Sequence, residues 1–304
     1  MNQYIKLTKR NCQIFIRDRG AIFFSLLSMI ITLILMGVFL GKMNVENVTD
    51  LLKTYGGARD LEQDKENARH LVEYCTLAGI LVINAVTVTM AVMSNMVQDF
   101  SEKKTGSFYS TPVKKSIIAL SYVTSSVILG MFLCVVPFVL ALLYITAGGG
   151  EILSFSTILK LLGCMALNVL IFSVIMYLLA SLVKSRSAWS GLGTIIGTLV
   201  GFAGGVYLSM NMLPDKVGTV LKCLPILHGT SLMRKLCCED ILAKTFKGLP
   251  GELLEEYKEA MGITVVMGDS AVSMEFQVAF LLICGMIALG IAAAVSMRRR
   301  AAER

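Results

Sequence analysis

Six stretches of this chain run for about 20 residues or more without a single Asp, Glu, Lys or Arg: 21–40, 74–97, 117–147, 161–183, 188–210 and 276–297. A helix rises 1.5 Å per residue, so about 20 residues cross the ~30 Å hydrocarbon layer of a bilayer. No soluble core of 304 residues hides that much apolar surface. Mean hydropathy is +0.72, and only 16% of residues are charged, against about 25% in soluble domains. The sequence therefore predicts an all-α integral membrane protein with six transmembrane helices.

The polar intervals give the organisation. Residues 1–20 place Lys6, Lys9, Arg10 and Arg17 on one helical face and Tyr4, Ile5, Leu7, Cys12, Ile14, Phe15 and Ile16 on the rest. That pattern suits an amphipathic helix in the membrane interface, and also a plain basic flank to the first span. The first span is too long for a signal-peptide core and lacks a small-x-small cleavage site, so it is expected to stay as an anchor. Residues 21–297 form the six-span body, with insertions at 41–73 and 211–274, a loop at 98–116, and a basic tail at 298–304.

Within the first insertion, Thr49 is placed to cap a short helix ending at Gly56-Gly57, and 60–73 reads as a separate charged helix. Thr111-Pro112 reads as the start of the third spanning helix, since a Thr hydroxyl caps and Pro fits the first turn. Pro137 is expected to kink that helix. Gly193, Gly197, Gly201 and Gly205 recur every four residues in the fifth stretch, forming one ridge. Such a ridge serves close helix packing or the smooth wall of a transport path, and a dimer interface would serve both. Residues 221–236 are too apolar for a free loop and too short to span, which suits a re-entrant element. Residues 251–261 read as an amphipathic helix stopped by Gly262, followed by a short strand at 263–267.

Charge sets the orientation. The N-terminus, the 98–116 loop, the 184–187 loop and the C-terminus together hold 15 Lys/Arg and 4 Asp/Glu, whereas the opposite side holds 13 and 17. The basic side is expected to be the cytoplasm, with both termini there. The overall +7 charge thus follows topology, and no nucleic-acid partner is implied.

Catalytic signatures are absent. There is no G-x-x-x-x-G-K-[ST] phosphate loop and no H-E-x-x-H, and the two histidines, His70 and His228, lie far apart. The eight cysteines include no C-x-x-C pair. Cys223, Cys237 and Cys238 fall in the second insertion, where spacing leaves both a disulfide and free thiols open. Uncharged span interiors lower the case for ion-coupled transport, which usually relies on ionisable groups at membrane depth, without excluding it, since backbone carbonyls can bind Na⁺. A transporter without them and without a nucleotide motif takes its energy from another chain.

The loop at 98–116 supplies Glu102, Gly106, Phe108-Tyr109, Thr111-Pro112 and Lys114-Lys115, and after the fifth span come Leu213-Pro214, Leu224-Pro225 and Met233-Arg234. In that order, with an amphipathic N-terminal helix and six spans, the chain resembles a permease subunit of the ABC-2 type, the type V exporter fold. The interval from Gly106 to Thr111 is shorter than in many members, and the two insertions are larger than in the simplest ones.

The resemblance implies a multi-pass protein of the plasma membrane, in a bacterium the cytoplasmic one. It implies pairing with a second permease copy or paralogue, and docking on a cytoplasmic ATPase subunit that binds ATP and magnesium, this chain holding no cofactor or metal of its own. Glu102, Gly106, Phe108, Tyr109, Thr111 and Pro112 would then form the coupling element. Phe108 and Tyr109 would be apolar anchors in the ATPase, or else aromatics at the membrane interface. Lys103 and Lys104 would join Glu102 in the polar rim. Lys114 and Lys115 suit plain basic flanks. Pro214, Pro225 and Arg234 would belong to re-entrant helices. The cargo class that uncharged spans suit is amphipathic: lipid-like molecules, drugs or peptides. An ion-coupled carrier or channel, and a non-transporting scaffold or sensor, are the competing expectations.

Overall fold

A computed structural model describes residues 2–35, 41–56, 60–102, 113–207, 209–268 and 270–302. Its elements are α1 (Asn2–Arg17), α2 (Arg19–Leu35), α3 (Gly41–Tyr55), α4 (Leu61–Ser101), α5 (Lys115–Ala147), α6 (Phe155–Leu182) and α7 (Arg186–Ala203). After these come a 3₁₀ turn (Met210–Met212), α8 (Asp215–Lys222), α9 (Pro225–Thr245), α10 (Gly251–Ala260), β1 (Val266–Met267), β2 (Ser270–Ala271) and α11 (Met274–Ala302). The two strands pair antiparallel across Gly268.

The fold is organised around α4. Helices α3, α5, α6, α7 and α9 all pack against it, while α11 packs on α6 and α9. Of the most apolar 18 residues in each helix, 83% are buried inside the protein for α4 but only 22% for α11. The outer helices instead expose large apolar side chains, such as Phe132, Leu140 and Leu143 on α5 and Leu282, Met286 and Ile287 on α11. An apolar exterior around a packed centre is what a lipid solvent selects. Polar groups inside the bundle bond across helices: Asn84 Nδ2 donates to the Leu133 carbonyl at 2.9 Å, and Ser173 Oγ to Ser126 Oγ at 3.0 Å.

Among the described residues, four helices are long and apolar enough to cross a membrane: Leu61–Ser101, Lys115–Ala147, Phe155–Leu182 and Met274–Val295. Of the first expected span, α2 is described over Arg19–Leu35, and 36–40 lie outside the described residues. The fifth is shorter than expected. Helix α7 ends at Ala203 rather than continuing to Met210.

Three other expectations change. The helix expected at 60–73 and the span expected at 74–97 are one helix of 41 residues, about 60 Å long. No Gly or Pro separates them, and Asp60 caps the start by accepting from the Glu62 and Gln63 amides. Thr49 lies inside α3, where its hydroxyl donates to the Val45 carbonyl at 2.8 Å instead of capping. Helix α5 begins at Lys115, not Pro112: Lys114 is extended at ψ 134°, and its carbonyl accepts the first helical bonds from Ile117 and Ile118. Helix α5 runs on through Pro137.

Candidate functional site

Two clusters grip α4 at separate levels. The first sits at its C-terminal end, next to the loop that joins α4 to α5. Asp99, in the last turn, is 3% exposed. Arg10 of α1 donates to it with both terminal nitrogens, at 2.7 Å to Oδ2 and 2.9 Å to Oδ1, and Tyr122 Oη of α5 donates to Oδ2 at 2.6 Å. A forked guanidinium on a carboxylate is both strong and directional. The hydrogen bond to Asp99 pushes the Arg10 guanidinium above its ordinary pKa, against the opposing effect of burial. Around this centre Asn11 Nδ2 donates to Ser121 Oγ at 3.3 Å, and Tyr4 and Thr124 share a hydrogen bond of 2.7 Å. Phe15 fills a small apolar cluster with Val88, Val92, Leu129 and Leu133. Helix α1 is therefore stapled to α4 and α5, and its apolar side is divided between that core and exposed Ile5 and Ile16.

The second cluster lies nearer the other end of α4. Arg234, near the middle of α9, is 2% exposed. Its Nε donates to the Cys75 carbonyl at 3.3 Å, one terminal nitrogen to the Met261 carbonyl at 2.6 Å, and the other to the Gly205 carbonyl at 2.9 Å. Burial pushes its pKa down from the ordinary arginine value, though an arginine keeps its proton in proteins.

Two acceptors are prepared by helix ends. At the end of α7 the Val206 amide bonds the Gly201 carbonyl and the Gly205 amide bonds that of Phe202; at the end of α10 Ile263 bonds Lys258 and Gly262 bonds Glu259. These are paired Schellman closures, and they need a left-handed residue after the cap. Gly205 at φ +59° and Gly262 at φ +62° supply it. These turns place the Gly205 and Met261 carbonyls against the guanidinium. Close packing of α9 on α6 also depends on Gly229, where a Cβ would stand 2.1 Å from Asn168 Oδ1.

The sequence profile of the ABC-2 type transporter family matches residues 2–237, from α1 into α9. The chain belongs to the ABC-2 type transporter family. No curated protein matches it closely enough to count as a relative. As an ABC-2 permease it is the membrane component of an ABC transporter and a multi-pass membrane protein. Both clusters' arginines and Asp99 fall in the matched stretch, whereas α10, the hairpin and α11 follow it.

The permease's expected coupling residues are divided by where the described chain stops. Glu102 closes α4: its carboxylate accepts from Gln98 Nε2 at 2.9 Å and meets Arg186 of α7 at 3.5 Å. Lys103, Lys104, Gly106, Phe108, Tyr109, Thr111 and Pro112 lie outside the described residues. The expected glycine ridge is not one surface. A Cβ on Gly193 would meet Met90 at 3.3 Å, one on Gly197 would meet nothing within 4 Å, and one on Gly201 would strike the Tyr207 ring at 2.1 Å. Gly205 has left the helix altogether, because the chain turns back after Ala203 so that Tyr207 packs over Gly201. Pro214 immediately precedes α8, and Pro225 is the first residue of α9.

Arg10, Asp99 and Tyr122 are the residues that sequence reasoning missed as a site. Arg10 is legible only as part of a basic face and Asp99 only as one acid in a basic loop. The signal that would have found them is an acid at the end of an uncharged span, which requires a partner if buried.

Proposed function

We propose that this permease is the membrane half of an ATP-driven exporter, with six spans, both termini in the cytoplasm, and a separate nucleotide-binding subunit pressing on the 98–116 loop. The observation that carries this reading is the Arg10–Asp99–Tyr122 cluster. It joins the helix entering that loop, the helix leaving it, and the N-terminal helix through one buried carboxylate. A push on the loop therefore moves three helices together, whereas a loop on independent helices would absorb it. Glu102, Gly106, Phe108, Tyr109, Thr111 and Pro112 form the contact with the ATPase, which holds ATP and magnesium. A second permease copy or paralogue completes the transporter in the plasma membrane, in a bacterium the cytoplasmic membrane. The uncharged, lipid-facing spans suit an amphipathic cargo.

The test is purification of the tagged chain from its native membrane, followed by reconstitution into liposomes. The expected outcome is a co-purifying Walker-motif ATPase whose hydrolysis drives uptake into inside-out vesicles. Substituting Asp99→Asn should lower transport per ATP hydrolysed while the ATPase stays bound. Recovery of the chain with no ATPase, or transport that survives ATP depletion and collapses with the ion gradient, would sink the proposal.

A further inference from the structure

Beside the Arg234 cluster, α4 and α9 bring two thiols together. Cys75 Sγ and Cys238 Sγ lie 2.9 Å apart, although 163 residues separate them in the chain. Both side chains are fully buried, and the separation is within about 1 Å of an S–S bond of ~2.05 Å. The pair is built into the same interface as the arginine. Cys75 lends its carbonyl to Arg234, and Cys238 follows Arg234 by one helical turn on the same face of α9. Cys237 is buried too, but adjacent residues on a helix point about 100° apart. It cannot occupy the same position against Cys75.

We propose that Cys75 and Cys238 are a modification site: they close to a disulfide that fastens α9 to α4 beside Arg234. The inference rests on the reading that this end of α4 faces the oxidising exterior. The oxidant is an external disulfide, protein-borne or small. The Cys75 thiolate attacks one of its sulfurs and releases one thiolate, forming a mixed disulfide. The Cys238 thiolate then attacks the Cys75 sulfur and releases the second. Two protein thiols are oxidised, one external disulfide is reduced to two thiols, and the two protein protons end on the released thiolates. Because both sulfurs are enclosed in the finished fold, the bond forms before α9 seats, and burial then shields it from reductants.

The experiment uses the full chain in membranes from expressing cells. The membranes are dissolved directly into denaturant containing N-ethylmaleimide, digested without reduction, and read by mass spectrometry. The expected result is a Cys75–Cys238 linked peptide, lighter by two hydrogens than its parts, with Cys237 alkylated. Cys238→Ser should free Cys75 for alkylation, and Cys237→Ser should change nothing. Full alkylation of both Cys75 and Cys238, or a bond from either to Cys237, overturns the proposal. Exposed Cys223 separates the two ideas on parallel intact cells. Labelling of Cys223 by a membrane-impermeant maleimide keeps the orientation even if the disulfide fails. Labelling only after the membrane is opened shows that the orientation itself was wrong.

Discussion

Arg10 and Arg234 both dock on α4, about 36 Å apart along the helix, and they are held by opposite means. Arg10 comes from α1 and meets a carboxylate; its side chain stays about one-third exposed, at 32%. Arg234 is sealed in and donates only to backbone carbonyls, with no acidic side chain bonded to it among the described residues. The exposed side of the Arg10 guanidinium keeps some freedom, since water can take over part of its hydrogen bonding, although Asp99 itself is buried. A charge enclosed by three carbonyls has no substitute, and the helix ends that supply them cannot move without exposing it. The difference marks the Asp99 end of α4 as the part able to rearrange and the Arg234 end as the part that holds shape.

Arg234→Leu should have the largest effect, because it leaves the Gly205 and Met261 carbonyls without their donor at about 1–3 kcal/mol each, while the Cys75 carbonyl keeps its bond within α4, and the apolar replacement offsets part of the loss. Little folded protein should survive size-exclusion chromatography in mild detergent. Arg234→Lys should recover only part of it, since an ammonium lacks the planar fork. A variant as well behaved as the parent would erase the contrast between the two ends.

Arg10→Ala comes next, with an expected cost of about 1.5–3 kcal/mol for removing a hydrogen-bonded charge from buried Asp99. Here the loss should fall more on transport than on yield. A double-mutant cycle with Asp99→Asn should give coupling of about 0.5–3 kcal/mol in thermal unfolding. Additive effects would mean that the pair seen in the structure contributes nothing.

Gly205→Ala forces a Cβ into the left-handed region at about 1–2 kcal/mol. It should lower the melting temperature modestly, and Gly197→Ala, with open space around it, should not. If the two variants melt alike, the Schellman closure does not support the arginine. The smallest effect belongs to Glu102→Gln. Its contact with Arg186 is half exposed at 3.5 Å, worth about 0–1 kcal/mol and weakened by salt. Stability should hardly change, so any loss of ATPase association would locate Glu102 at the docking surface.

The sequence made the membrane class legible because solvent chemistry acts on every residue of a span. It also made legible the Gly262 stop of α10, a backbone effect carried by a single residue type. The Pro225 start of α9 was not legible, since 221–236 reads as one re-entrant element. Arg234 was noticed only through family resemblance. Backbone carbonyls leave no trace in residue identity, so three acceptors drawn from positions 75, 205 and 261 are invisible before folding. Asp99 and Arg10 are separated by 89 positions, and nothing local pairs them. The glycine spacing misled for a related reason: a period of four describes a ridge only while the helix lasts, and Tyr207 folding over Gly201 ends it.

The continuity of α4 has a mechanical consequence. At about 60 Å it is twice the ~30 Å thickness of the hydrocarbon layer, and it contains neither Gly nor Pro between Leu61 and Ser101 except Gly79. A rod that stiff works as a beam on a pivot. If its packed middle is the fulcrum, a tilt of about 5° displaces each end by roughly 2.6 Å in opposite directions. Under the proposed function, leverage of this kind would carry a stroke from one face of the membrane to the other without any relay of side chains.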